Sequence, residues 1–214
     1  MDILQKEAQA FALKESAYPE PSLFGTTDGK EVGTYLEQKF QAHLSLFYDY
    51  DAGNSAKGID FPSLDVDIRV TSIEQPQSSS PFKSARQKIF GLGYSLLVFV
   101  YEKEDNPTTK TATLDLLHVI FVEKEQTADF QMTTGIAEIL ARKNNPGVLD
   151  DLTAFMEDKN LPVDEIEARK IAEEIIKQPP GLGYLTISNA LQWRLQYTCV
   201  IAEAGKVAGI LRVK

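Results

Sequence analysis

The segment 57–72 carries acidic and basic side chains at spacings that could support chemistry. Asp60 precedes a tight turn, and after the turn Asp67 and Arg69 alternate with apolar residues. Alternate residues of a strand lie on one face, so Asp65, Asp67 and Arg69 are predicted to share a face. A hairpin at the turn would bring Asp60 beside Asp67. Two carboxylates that meet in this way favour a hard divalent cation such as magnesium. A cation of this kind can activate water and stabilise developing negative charge.

Two ambiguities remain in this segment. Asp65 is a rival ligand, but Asp67 is favoured because it alone has a basic residue two positions later, Arg69. Arginine stays protonated, so Arg69 can hold phosphate charge but cannot act as a general base. The alternative is that Asp60 and Asp67 are an ordinary turn acid and an exposed strand acid, with no metal between them.

The elements predicted around this segment would position it in an α/β layer structure. Apolar residues at helical spacing predict helices over about 2–15 and 30–47, and a short helix over 84–91. Apolar, β-branched runs predict strands over 95–101 and 113–122, joined by a polar loop over 102–110. Mixed elements around a mostly buried sheet indicate an α/β sandwich.

The last part of the chain is interpreted as a separate subdomain. It is predicted to contain helices over about 128–143, 148–159 and 164–177, a short helix over 188–197 and a hairpin over 199–213. Helices followed by a hairpin are the outline of a winged helix, a common DNA-reading module. The predicted division is therefore 1–145 and 146–214, and the alternative for the second part is a helical cap on the first.

The pattern of Asp60, a short turn and then Asp67-Ile68-Arg69 resembles the PD-(D/E)XK nuclease superfamily, to which many type II restriction endonucleases belong. That family's motif is an aspartate, a hairpin, then Asp or Glu, any residue, and lysine. The resemblance covers roughly residues 30–122 and implies a restriction-endonuclease-like three-layer αβα sandwich with a mixed central sheet. Two residues depart from the motif, since Arg69 replaces the lysine and Ile59 replaces the proline.

The resemblance also implies site residues and an activity. Asp60 and Asp67 would bind Mg²⁺, Arg69 would fill the lysine position, and Glu37 and Gln87 would add catalytic side chains from the flanking helices. The implied activity is that of a magnesium-dependent endonuclease acting on double-stranded DNA as a homodimer. Two alternatives stay open: a catalytically weakened nuclease fold that only binds DNA or regulates, and an α/β interaction protein unrelated to nucleic acid. In isolation, Glu37 is also consistent with a solvated helix residue.

Locally basic or polar segments are candidates for DNA contact, although the net charge of −9 argues against a simple electrostatic DNA binder. The candidates for phosphate contact are Lys83, Arg86 and Lys88, which could equally form a solvated helix face. The candidates for contact with bases or phosphates are Asn189, Gln192 and Arg194.

Composition narrows the class of protein. The 214 residues are 43% hydrophobic, which suffices for one sizeable core. A single cysteine, Cys199, excludes an intrachain disulfide framework and a cysteine zinc cluster. The longest apolar run is strand-sized and the first residues do not resemble a signal peptide, so a cytoplasmic protein with no membrane segment is predicted.

Overall fold

A computed structural model describes residues 2–50, 58–142, 146–187 and 194–214. The chain forms two compact units. The first comprises Met1–Ser78, Ser95–Val122 and Val200–Lys214, and the second comprises Ser79–Tyr94 and Glu123–Cys199. The helices are α1 (Asp2–Glu15), α2 (Gly29–Ser45), α3 (Ala85–Phe90), α4 (Phe130–Leu140), α5 (Val148–Asp158), α6 (Glu165–Lys177) and α7 (Thr198–Glu203). The strands are β1 (Pro19–Glu20), β2 (Val66–Ser72), β3 (Gln77–Ser79), β4 (Ser95–Asn106), β5 (Thr111–Val122), β6 (Thr186–Ile187), β7 (Arg194–Gln196) and β8 (Ile210–Arg212).

The first unit is built on a mixed sheet with strand order β1-β5-β4-β2, and β8 also pairs with β5. Strands β2 and β4 are parallel, with Val66 opposite Ser95, and the other pairs are antiparallel. The predicted α/β class is thereby confirmed. The predicted polar loop over 102–110 is wrong, because β4 and β5 continue as a long hairpin whose turn starts after Asn106. Polar residues are tolerated there because that part of the hairpin is largely exposed to solvent.

An aromatic cluster fixes α1 and α2 against the sheet. Phe40 of α2 is fully buried, and its ring centroid lies 5.2 Å from those of both Phe11 on α1 and Phe99 on β4. Val66 and Ile68 of β2 belong to the same core. The apolar residues predicted at helical spacing in the second helix therefore form the face of α2 that is buried. This packing holds the neighbouring face of α2 beside β2.

The predicted hairpin before β2 is confirmed as a tight turn closed by an antiparallel bridge between Phe61 and Val66. Phe61 N–H donates to the Val66 carbonyl oxygen at 2.9 Å. Asp65 lies in this turn with a φ of 52°, and its side chain is exposed. The prediction that Asp65 shares a strand face with Asp67 is therefore wrong, because the strand begins only at Val66.

The second unit contains the helices α3, α4, α5 and α6, which share one apolar core. The three helices predicted over 128–143, 148–159 and 164–177 are present as α4, α5 and α6, although α4 ends at Leu140 and residue 143 lies outside the described residues. Asp129 is 2% exposed and caps α4 by accepting from Met132 N–H at 2.8 Å. Its other oxygen accepts from Ile187 N–H at 2.8 Å, so one buried carboxylate joins the helix to β6.

The C-terminal prediction requires correction. Residues 188–193 lie outside the described residues, and Arg194–Gln196 is a strand paired with β6, not part of a helix. The predicted terminal hairpin is also wrong, because α7 comes first and β8 then pairs with β5, with Ile210 opposite Val122. Ile210 is fully buried in this pairing with a distant strand. Residues 200–214 therefore belong to the first unit, unlike the predicted division at 145.

None of the helices in the described residues has the length and apolar character required to cross a membrane.

Candidate functional site

The turn before β2, the strand itself and the adjacent face of α2 bring together four predicted site residues. Asp60 lies before the turn, and one of its carboxylate oxygens accepts from Ile68 N–H of β2 at 2.8 Å. Asp67 and Arg69 are two residues apart on the same strand, and the Arg69 guanidinium lies 2.5 Å from Asp67 Oδ2. Glu37 interacts electrostatically with all three. The predicted meeting of Asp60 and Asp67 at one spot is thus present in the first unit.

Asp67 is a buried acid, with only 4% of its surface exposed. Burial raises the pKa of Asp67 from its ordinary value of 3.8 to about 7. The neighbouring Arg69 charge lowers this pKa, whereas the hydrogen bond with Asp60 and the Asp60 charge raise it. The guanidinium therefore offsets only part of the cost of ionising Asp67.

The pKa of Glu37 is also raised, for a related reason. Burial, together with the charges of Asp60 and Asp67, raises the pKa of Glu37 from 4.5 to about 7, although the charge of Arg69 opposes the rise. Three carboxyl groups thus share the field of one guanidinium. Full ionisation leaves excess negative charge in a poorly solvated place, where an additional cation would be favourable.

The donor set fits a small, hard cation. In the described ranges, no three His, Cys, Asp or Glu side chains converge closely enough to hold a metal by themselves. Magnesium does not need three, because it commonly takes one or two protein carboxylates and keeps several waters. Asp67 Oδ2 is buried beside the Arg69 guanidinium, which only partly offsets the cost of ionising Asp67. Asp60 and Asp67 therefore form a suitable carboxylate pair.

The predicted site residues on and near α3 belong to the second unit, and the side chains of Gln87 and Arg86 form hydrogen bonds within that unit. Gln87 takes part in the N-terminal cap of α3, since its backbone N–H donates to Ser84 Oγ at 3.4 Å and its Oε1 accepts from Lys83 N–H at 2.7 Å. Arg86 is 52% exposed, and its guanidinium forms two hydrogen bonds with Glu174. The capping contacts explain a glutamine at this place without catalysis.

The remaining DNA-contact candidates differ in exposure. Lys83 is exposed, whereas Lys88 is only 3% exposed, and burial lowers its pKa while Asp129 raises it. A side chain so buried is poorly placed to reach a phosphate. Arg194 is exposed on β7. Asn189 and Gln192 lie outside the described residues.

One residue at the site was missed by sequence reasoning. Gln41 of α2 donates from Nε2 to Asp60 Oδ1 at 3.2 Å. The available signal was its position four residues after Glu37, which places both side chains on one face of a helix.

Comparisons with known proteins identify the family of this chain. No solved structure matches the chain. The type II restriction enzyme NspV from a Nostoc species is 63% identical over 213 residues, which span 100% of this chain and 96% of the relative. The sequence model of the type II restriction enzyme NspV family matches residues 1–212, which include the whole carboxylate cluster. The chain therefore belongs to the NspV family of type II restriction enzymes.

Proposed function

We propose that this chain is a type II restriction endonuclease that hydrolyses phosphodiester bonds of double-stranded DNA with Mg²⁺ held by Asp60 and Asp67. The observation that carries the proposal is the carboxyl group of Asp67, buried, in contact with Asp60 and only partly neutralised by Arg69. The same cluster lies within a chain that is 63% identical to a type II restriction enzyme. Ionising buried Asp67 beside the half-buried Asp60 is costly when one guanidinium offsets only part of the charge, and this argues against a purely structural role.

The chain's own residues would hold the cation and orient it. Asp60 and Asp67 supply carboxylate oxygens, and the carbonyl oxygen of Ile68 is a third candidate donor on the same strand. A divalent cation bound there supplies an activated water and stabilises the charge that develops on the phosphate. Because Ile68 N–H already holds Asp60, the strand positions both aspartates at once.

Arg69 and Glu37 would have separate roles in catalysis. Arg69 cannot accept a proton at any ordinary pH, so its role would be to bind the scissile phosphate and neutralise its charge. Glu37 has a pKa of about 7, so it can accept or return a proton near neutral pH. Glu37 is thus the better candidate for proton transfer.

The finer points of fold and assembly remain part of the proposal. Helices α1 and α2 cover one face of the mixed sheet, consistent with a three-layer αβα sandwich of the restriction-endonuclease type. A homodimer would match a two-fold symmetric DNA site. Of the DNA-contact candidates, Lys83 and Arg194 are the better placed because both are exposed. A catalytic role for Gln87, a DNA-binding role for residues 146–214 and a cytoplasmic location remain predictions.

The test compares cleavage and binding in isosteric variants. Unmethylated phage DNA is incubated with Mg²⁺ and the parent protein, Asp67→Asn, or the matched control Asp65→Asn, whose target is an exposed acid in the preceding turn. We expect discrete fragments from the parent and the control and none from Asp67→Asn. Binding is measured separately with Ca²⁺, which occupies such sites without supporting much cleavage, and Asp67→Asn should still bind DNA at low salt.

Each contrary result has a distinct meaning. Equal cleavage by Asp67→Asn and the parent would refute the metal site. Cleavage by Arg69→Lys but not by the parent would favour the alternative of a catalytically weakened nuclease fold. Absence of cleavage from the parent and from Arg69→Lys would contradict the proposed activity.

A further inference from the structure

Asp60 is held at both carboxylate oxygens by neutral hydrogen-bond donors. Ile68 N–H donates to Oδ2 at 2.8 Å, and Gln41 Nε2 donates to Oδ1 at 3.2 Å. A backbone donor on one side and a side-chain donor on the other restrict rotation of the carboxyl plane. Each carboxylate oxygen can accept more than one contact, so both retain capacity for a cation.

The position of Gln41 is itself tied to the turn that carries Asp60. The Gln41 carbonyl oxygen accepts from the Tyr50 hydroxyl at 2.9 Å. The Tyr50 ring centroid lies 5.4 Å from that of Phe61, the residue that follows Asp60 and closes the turn. The last turns of α2 and the turn before β2 therefore form one connected unit, and Gln41 spans it.

The side-chain donor at Asp60 is a neutral amide, which is the type expected beside a carboxylate that binds a cation. Asp67 already has a guanidinium beside it, which competes for the charge that a metal needs. A second cationic donor at Asp60 would reduce the attraction further, whereas an amide orients the carboxylate and leaves its charge intact. A residue that merely filled space would not need a donor aimed at Oδ1.

We propose that Gln41 is a positioning residue that orients Asp60 for the divalent cation. The proposal rests on the proposed function, because it presumes that Asp60 is a metal ligand. It predicts that loss of the amide weakens metal binding without changing the residues that contact metal. Outer partners of metal ligands typically contribute roughly 10–100-fold to metal affinity.

The test measures Mn²⁺ binding by the DNA-free protein, using electron paramagnetic resonance of the unbound ion. Gln41→Met retains the length of the side chain without its donor. The matched control is Gln38→Met, an exposed position on the same helix. We expect Gln41→Met to weaken Mn²⁺ binding by about 10-fold, with Gln38→Met unchanged. In cleavage assays, Gln41→Met should lower kcat at limiting Mg²⁺, recover at excess Mg²⁺ and leave the KM for DNA unchanged.

A second variant and a stability measurement distinguish weaker metal binding from misfolding. Gln41→Asn retains the amide but shortens its reach, so it should also weaken Mn²⁺ binding, and circular dichroism gives the thermal midpoint of each variant. Mn²⁺ affinity equal to that of the parent in folded Gln41→Met or Gln41→Asn would overturn the inference. Parent protein that binds Mn²⁺ no more tightly than Asp67→Asn would instead overturn the metal site of the proposed function.

Discussion

The raised pKa of Asp67 predicts how the stability of the metal-free protein depends on pH. The folded pKa of about 7 exceeds the ordinary value of 3.8. Between these values the folded protein binds more protons than the unfolded chain, so stability falls as pH rises through this window. A shift of about 3 units corresponds to about 4 kcal/mol at most, since one unit is about 1.4 kcal/mol. Asp67→Asn removes this contribution.

The assay is urea unfolding with EDTA, followed by circular dichroism at about pH 5 and about pH 8.5. The change in unfolding free energy between the two pH values is the informative quantity, because Asp67→Asn also gives up the charge partner of Arg69. We expect the parent and the control Asp65→Asn to lose stability as pH rises, and Asp67→Asn to lose about 2–3 kcal/mol less, because only about two units of the shift lie between pH 5 and the folded pKa. Some pH dependence should persist in Asp67→Asn, since the pKa of Glu37 is also raised, to about 7.

Replacement of EDTA by Ca²⁺ provides a second, independent measurement. A cation that binds the ionised carboxylates stabilises the folded state and should reduce the loss of stability at high pH in the parent. The same addition should have much less effect on Asp67→Asn. Equal pH dependence in the parent and in Asp67→Asn would refute the reasoning, because it would mean that the ionisation of Asp67 costs nothing in the folded protein.

Substitutions at three further positions probe the site and the two cores. Arg69→Lys retains a cation beside Asp67 and should keep single-turnover cleavage within about tenfold of the parent, whereas Arg69→Ala should lower it by about 10²–10³-fold; equal rates for the parent and Arg69→Ala would contradict a role in phosphate binding. Phe40→Ala leaves a cavity in the aromatic cluster that fixes α2 and should cost about 3–5 kcal/mol of unfolding free energy, measured in urea. Asp129→Ala leaves the buried N–H groups of Met132 and Ile187 without their acceptor, so a loss of about 2–4 kcal/mol is expected. A loss near zero in Asp129→Ala would contradict a stabilising role for these two hydrogen bonds.

Much of the site follows from local rules of chain geometry. The tight turn after Asp60 and the alternation around Asp67 predicted a hairpin that brings two carboxylates together, and the structure has both. Helical spacing predicted α2 before that segment, with Glu37 on it. These inferences succeed because the periods of strands and helices are properties of the backbone.

Errors arose where the outcome depends on distant contacts. The polar residues at 102–110 suggested a loop, but residues 102–106 continue β4 in a long hairpin with β5, and only 107–110 form the turn. The C-terminal residues suggested a separate hairpin, but Ile210 is buried by pairing with β5, about 90 residues earlier in the chain. Local pattern does not identify the partner of a strand, because any strand of suitable period can supply the hydrogen bonds.

By itself, therefore, the sequence determined the carboxylate motif, the α/β class and the helix that faces the motif, since each depends on spacing within a few residues. Only the tertiary structure decided that Asp65 turns outward and that Arg69 pairs with Asp67. It also decided that Gln41 reaches Asp60. Burial and the approach of separate elements determine which charges meet, how far their pKa values move and which neutral groups hold them.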